Sequence, residues 1–436
     1  MPFAERVDVP DVQYALSGDV SIAYQSFGEG PDLVFLPFLS NLYTLWEFDP
    51  WSRMCSRLAT QRRVLLINPR GVGLSDRPRG FTVESRIDDV RAVMAEEGVD
   101  RAPLVAIGES SATAAVFAAT YPERVERLVL FTPSRRGAEP VERAQQLAAL
   151  DEERSRWGRR DHLEEFARFM NPQWAERHDY MEWFVRHHRL ALSPGGWRDF
   201  RRMAIELDIT DVLPAINVPT LVLSKERSRD VAEDVAARID NCELVIVPGA
   251  GFAMHENDFP VEAIERFLEG TSQHVVPDSV LVTLLFTDLV GSTERAADIG
   301  DRAWRELLAQ HHEVVRREVT RFRGVEMDTA GDGFFATFDG PARAIHAARA
   351  IVRVVRDLGL ELRAGVHTGE CELHDGKVAG IAVSTAARVS SAAAPGEVLV
   401  SGTVRDLVAG SGIEFEDRGT RELKGVPGEW RLFAVS

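Results

Sequence analysis

A chain of 436 residues is too long for one ordinary core, which predicts two or three domains. With 45% hydrophobic and 27% charged residues the composition is that of a soluble globular protein, not of a fibrous or disordered one. A net charge of −17 repels phosphate backbones and argues against nucleic acid as a partner, while leaving open a small nucleotide held in one basic pocket.

No apolar run approaches the roughly 18–20 residues that cross a bilayer, so no membrane partner is expected. The opening MPFAERVDVPDV lacks the basic-then-apolar layout of a secretory signal. Cys55, Cys242 and Cys371 are scattered, odd in number and without metal-ligand spacing. Together these features predict a reducing, cytoplasmic setting.

From about residue 20 to 270, short apolar runs (DLVFLP, RVLLIN, PLVAIG, RLVLFTP, TLVLS, ELVIVPG) alternate with helical patterns. Such runs, rich in Val, Leu and Ile, predict a mostly parallel sheet buried on both faces. Residues 139–209 interrupt the rhythm with an Arg- and Trp-rich helical stretch, expected as an inserted cap. The polar segment 271–278 reads as a linker between a first domain, 1–270, and a second, 279–436.

The second part starts with VLVTLLFTD, a strand ending at Asp288. Helical spacing of Trp304, Leu307, Leu308, His311, Val314, Val315, Val319 and Phe322 predicts a helix over 301–322. VEMDTA and GFFATF flank Gly331 and Asp332, which predicts a β-hairpin with Asp332 at its tip. A helix over 341–358, a strand over 361–367 and further αβ alternation follow. Asp288 and Asp332 thus stand at strand ends, where two carboxylates suit an oxygen-loving divalent cation such as Mg²⁺ or Mn²⁺. Asp at strand ends and turns is more often simple turn chemistry, so the pair gains weight only from its context.

That context is FTDLVGST (286–293), TAGDGFFATF (329–338), RAGVHTGE (363–370), TAARV (385–389) and ELKG (422–425). In order and spacing these motifs closely resemble the class III adenylate/guanylate cyclase domain, an α+β, ferredoxin-like fold. The resemblance implies that Asp288 and Asp332 hold two Mg²⁺ or Mn²⁺ ions, with the Leu289 carbonyl completing one coordination shell. It implies that backbone N–H groups around Gly291, Ser292 and Thr293 cradle the phosphates of ATP or GTP. Arg388 would face the α-phosphate and Lys424 the outer phosphates. It further implies a homodimer in which one subunit supplies the aspartates and the other the Arg, the Lys and the base-reading residues.

Three positions depart from the family pattern. Asp328 stands where adenylate cyclases carry a Lys that donates to adenine N1. Ile381 stands where an Asp or Thr accepts from adenine N6. Ser384 replaces the Asn that orients the ribose. An ionised Asp328 is acceptor-only. It can take an adenine N6–H, or guanine N1–H and N2–H together, so both purines stay open. Altered selectivity, reduced rate and a weak nucleotide-binding sensor all fit these departures.

In the first part, PRGVGLSDRP (69–78) and GESSA (108–112) resemble the α/β-hydrolase fold. Ser110 is placed as a nucleophile after the strand PLVAIG, although Ala112 replaces the usual final Gly. The triad is damaged: Ser228 stands at the acid position with Asp230 nearby, and Phe252 at the histidine position with His255 three residues on. Phe38 occupies a position on the oxyanion side where Gly is common. The expectation is a degenerate hydrolase domain acting as a sensor of an unknown small ligand; an active serine hydrolase using Ser110 is the alternative. His187-His188 and His311-His312 are adjacent on helices, point about 100° apart and are not expected to chelate a metal.

Overall fold

The apolar runs of the first part form eight strands: β1 (Val12–Ser17), β2 (Val20–Phe27), β3 (Asp32–Leu36), β4 (Arg63–Ile67), β5 (Ala102–Ile107), β6 (Val125–Phe131), β7 (Thr220–Lys225) and β8 (Cys242–Val247). In this computed structural model they lie in one sheet of order β1-β2-β4-β3-β5-β6-β7-β8. Residues 9–249, 259–270, 279–374 and 377–436 are described, so Phe252, His255 and the 271–278 linker lie outside them. The described residues fall into two compact units divided between Pro277 and Asp278.

In the first unit β1, β2 and β4 pair antiparallel, and every pair from β4 through β3 to β8 is parallel. Every residue of β5 and β7 is buried, as a sheet covered on both faces requires. The helices α1 (Asp49–Ala59), α2 (Val83–Glu96) and α3 (Ser110–Thr120) connect the first six strands. A Thr82 and Ser85 capping box starts α2. The cap lies between β6 and β7 and comprises α4 (Pro140–Arg156), α5 (Arg160–Met170), α6 (Pro172–Ala175), α7 (His178–Ala191) and α8 (Pro194–Glu206). Its apolar faces meet in aromatic contacts, with Trp157 stacked on Trp197 at 3.9 Å and Phe184 on His188 at 3.9 Å. The helices α9 (Arg229–Ala236) and α10 (Phe259–Glu269) complete the unit.

The second unit runs β9 (Ser279–Leu289), α11 (Ser292–Ile299), α12 (Asp301–Arg321), β10 (Val325–Ala330), β11 (Gly333–Phe338), α13 (Pro341–Asp357), β12 (Leu362–His374), β13 (Lys377–Ala379), α14 (Ile381–Ala392), β14 (Val398–Ser401), α15 (Gly402–Leu407), β15 (Phe415–Glu422) and β16 (Glu429–Val435). Its sheet has the order β10-β11-β9-β12-β14-β16-β15, with β13 paired to the far end of β12. On one face Val315 and Val319 of α12 and Ile345 and Ile351 of α13 pack on Leu285, Phe334 and Val366. Each such buried side chain contributes about 1.5–3 kcal/mol. On the other face α14 packs Ala382 and Ala386 against Leu284 and Cys371. The backbone of Ser390 comes so close to β12 that a Cβ on Gly365 would lie 2.1 Å from its nitrogen. Only glycine permits that approach, which fixes the C-terminal half of α14 against the sheet.

Candidate active site

β9 carries Asp288 at its end, between β11 on one side and β12 on the other. Phe334 pairs with Thr287, so continuing that ladder sets Gly333 beside Asp288 and Asp332 beside Leu289. Asp332 itself lies in the two-residue turn between Ala330 and Gly333, which are paired. Gly331 opens the turn with φ +65°, the conformation a tight hairpin demands there. The predicted hairpin therefore forms and carries Asp332 to the end of the strand that bears Asp288.

On the other side of Asp288 stands Arg363, its direct partner in the β9/β12 register. The Arg363 Nε and Nη2 groups donate to Asp288 Oδ2 at 3.0 and 2.5 Å, and Nη1 donates to the Ser391 carbonyl at 3.3 Å. Both bonds to Asp288 end on one oxygen. The guanidinium offsets negative charge at the place where a cation is expected. An all-oxygen donor set of Asp288, Asp332 and the Leu289 carbonyl fits Mg²⁺ or Mn²⁺ and not a softer metal. Sequence reading missed Arg363, although it opens the RAGVHTGE motif, because only the strand pairing sets it opposite Asp288.

A second support comes from α12. His312 Nε2 lies 3.0 Å from the Gly331 carbonyl, so a protonated Nε2 donates to the turn that bears Asp332. Its neighbour His311 is fully buried, and burial lowers its pKa to about 4. The two ring centroids sit 5.7 Å apart with their planes tilted 55°. His187 and His188 are likewise core residues: His187 Nδ1 meets Thr44 Oγ1 at 2.8 Å and His188 Nδ1 the Phe184 carbonyl at 2.9 Å.

Gly291 is the N-cap of α11, with φ +66° and no side-chain capping bond. Ser292 and Thr293 start the helix, so their N–H groups belong to the first turn, where no intrahelical partner exists. Ile381, Ser384 and Arg388 recur at helical spacing on the exposed face of α14, opposite buried Ala382, Thr385, Ala386 and Val389. Arg388 Nε donates to the Lys424 carbonyl at 3.0 Å, which joins two basic residues far apart in the chain. Asp328 is exposed on the edge strand β10, opposite Phe335. Phe335 stacks on Phe286 at 4.4 Å, and both rings are only partly covered.

The first unit contains a cavity of about 420 Å³ at the carboxyl ends of β5, β6 and β7. Ser110, expected as a nucleophile, does not line it. Ser110 is the first residue of α3, is 3% exposed, and its Oγ donates to the Pro37 carbonyl at 3.0 Å. The strained strand-to-helix turn that presents a nucleophile falls two residues earlier, at Gly108, with φ +60°. Ser110 is therefore displaced from the elbow, and the residue standing there has no side chain. Phe38 covers the spot: a Cβ on Gly108 would lie 2.9 Å from its ring. Ser228 lines the cavity, whereas Asp230 is exposed and does not. We predict that a fluorophosphonate probe leaves Ser110 unlabelled. Stoichiometric labelling of the intact protein, lost in Ser110→Ala, would show by mass spectrometry that an active serine is present.

Glu109 does line the cavity. Its Oε1 lies 4.0 Å from Nη1 of Arg86, a guanidinium 1% exposed and held over the Phe81 ring at 4.6 Å. Burial pushes the Glu109 carboxyl up to about 7, against the opposing pull of Arg86.

Comparison with known proteins agrees with both halves. A family model described as the adenylate and guanylate cyclase catalytic domain matches residues 276–436, and the alpha/beta hydrolase family model matches residues 34–267. A pH-sensitive adenylate cyclase of Mycobacterium tuberculosis is 33% identical over 171 residues, covering 37% of this chain and 42% of that protein. A putative adenylate cyclase of Rhizobium meliloti is 30% identical over 156 residues, covering 34% of this chain and 26% of that protein. The match thus spans less than half the length of either relative. A thermophilic esterase from Thermogutta terrifontis shares the fold of the first unit, with TM-score 0.53, 22% identity and coverage of 60% of this chain and 100% of that one. Among the described residues no helix is long and apolar enough to cross a membrane. The chain belongs to the alpha/beta hydrolase family through its first unit and carries a class III adenylate/guanylate cyclase catalytic domain in its second.

Proposed function

We propose that this protein is a homodimeric nucleotide cyclase, converting ATP or GTP to the 3′,5′-cyclic nucleotide and pyrophosphate under the influence of a ligand held by its hydrolase-fold unit. The observation that carries this reading is the placement of Asp288 near the end of β9 with the Asp332 turn beside it, next to the uncapped start of α11. A domain relieved of catalysis has no reason to keep two carboxylates together there, since like charges repel. The adenylate cyclase activity named for the Mycobacterium relative supports the reaction type.

Asp288, Asp332 and the Leu289 carbonyl would hold two Mg²⁺ or Mn²⁺ ions. Bound there, the ions supply Lewis acidity for the ribose 3′-hydroxyl and offset charge on departing pyrophosphate. Arg363 keeps Asp288 oriented through one oxygen and leaves the other outside the ion pair. The first-turn N–H groups of Ser292 and Thr293 receive the phosphates. Arg388, held by the Lys424 carbonyl, faces the α-phosphate from the second subunit, and the Lys424 ammonium neutralises the outer phosphates. The partly covered Phe286–Phe335 pair supports such sharing, because it gives the sheet an apolar surface for a second copy. Asp328, exposed next to that pair, accepts from the purine, and Ser384 contacts the ribose with a single hydroxyl.

The test is to incubate the pure protein with Mn²⁺ and each of the four nucleoside triphosphates and to identify cyclic products by mass spectrometry. The expected result is a slow purine cyclase with less than a hundredfold preference between ATP and GTP. Asp328→Lys moves the ratio towards ATP, because an ammonium donates to adenine N1 and cannot accept from guanine N1–H. An unchanged ratio would remove Asp328 from base recognition. Ser384→Asn raises turnover, since a well-placed donor is worth on the order of 10²–10³ in rate.

A further inference from the structure

The cavity of the first unit has a polar floor that no nucleophile uses. Glu109 follows β5 and Thr132 follows β6, and these strands are parallel neighbours with Ile107 beside Phe131. The Gly108 N–H donates to the Phe131 carbonyl at 2.9 Å, which ties the two strand ends together. By that register Thr132 stands beside Gly108, one residue before Glu109, so both residues line the cavity at the carboxyl ends of adjacent strands, where open α/β sheets bind their ligands. Both offer unmet hydrogen-bonding capacity: Glu109 Oε2 and Thr132 Oγ1 are buried and without a partner. Native proteins rarely leave such groups unsatisfied, and a ligand is one reason to do so. Thr132 is also held at φ +50°, a strained conformation for a β-branched residue.

The remaining walls set the rest of the ligand. Phe38, Trp51, Phe169, Tyr180, Trp183 and Phe184 line the space. Aromatic walls of this kind favour a flat ring system. Glu109 is the one acidic residue among the described lining residues, and its charge is already offset by Arg86 behind it. A cation would therefore add an uncompensated charge, and an anion would face the carboxylate. Arg135, Arg136 and Arg201 also line the cavity, but each is paired, with Asp234, Asp208 and Glu153 respectively.

We propose that this cavity binds an uncharged, ring-bearing alcohol or phenol, whose hydroxyl donates to Glu109 and accepts from Thr132. The inference rests on the reading of the first unit as a ligand-binding domain that performs no hydrolysis, and it names the ligand class for that reading.

Four probes of one shape test it by titration calorimetry on the purified full chain: 2-naphthol, 2-methylnaphthalene, 2-naphthoate and 2-(aminomethyl)naphthalene. The expected result is 2-naphthol bound at least about tenfold tighter than each of the others. Equal or tighter binding of any other probe, or no binding of 2-naphthol, overturns the proposal. Glu109→Leu alone would strand the buried Arg86, so the first variant is the double change Arg86→Met with Glu109→Leu. There the naphthol preference is expected to shrink to within about threefold. A second, independent variant is Thr132→Gly, which suits the positive φ and is expected to weaken 2-naphthol at least about threefold while leaving 2-methylnaphthalene unchanged. Retention of the full preference in either folded variant counts against the assignment. Cyclase rate with and without saturating 2-naphthol separates the two levels of the argument. Naphthol preference without a rate change upholds the ligand class and removes the sensor role. Absence of the preference overturns the ligand class whatever the rate does.

Discussion

Asp288→Ala and Asp332→Ala are each expected to lower cyclic-nucleotide production to below a tenth of the wild-type rate, while the protein melts as before. The two side chains are partly exposed and belong to no apolar cluster, so their loss opens no cavity. Asp288→Ala does free the Arg363 guanidinium. That side chain is one-third exposed and water can solvate it, so the cost in stability is that of a surface pair, about 0–1 kcal/mol. Activity suffers far more, because each change removes a charged oxygen donor from the site expected to bind Mg²⁺ or Mn²⁺. Asp288→Asn is the informative partner: it keeps an acceptor for Arg363 and loses the charge, so it too is expected to be inactive at normal stability. Turnover above a tenth of wild type in any of the three would place the reaction elsewhere. A large drop in melting temperature would instead mean that the aspartates serve the fold.

Mixing inactive Asp332→Ala with inactive Arg388→Ala is expected to restore activity to about a quarter of wild type. Random pairing makes half of the dimers mixed, and each mixed dimer has one of its two sites intact. The geometry within one chain supports this outcome. Asp288 lies near the end of β9 with the turn that bears Asp332 beside it, while the Arg388 side chain, on the exposed face of α14, donates to the Lys424 carbonyl. Two such half-sites complement each other across a dimer axis if each copy offers both. The measurement is cyclic product after subunit exchange, with exchange followed by mass-tagged chains. Exchange without recovery would show that one chain supplies the whole site. Full wild-type activity in the Arg388→Ala protein alone would remove that residue from catalysis.

Local pattern alone decided much of this molecule. Alternating apolar runs and helical periods specified a buried parallel sheet with an inserted cap, because side-chain period depends on neighbours a few residues away. A strand ending at Asp288 and a Gly331-Asp332 turn were legible for the same reason. Tertiary structure decided what those elements meet. Arg363 faces Asp288 only because β12 pairs with β9 in one register, and a slip of one residue would turn its side chain to the other face. The elbow shows the same limit. GESSA reads as a nucleophile motif, yet the positive-φ position between β5 and α3 is Gly108, and Ser110 bonds instead to the Pro37 carbonyl. Which residue takes the strained turn depends on where the strand ends and the helix starts, a boundary set by packing and not by composition. Glu109 and Arg86 are charged residues that a sequence reading assigns to the surface, and their burial together follows from the helices and strands that enclose them.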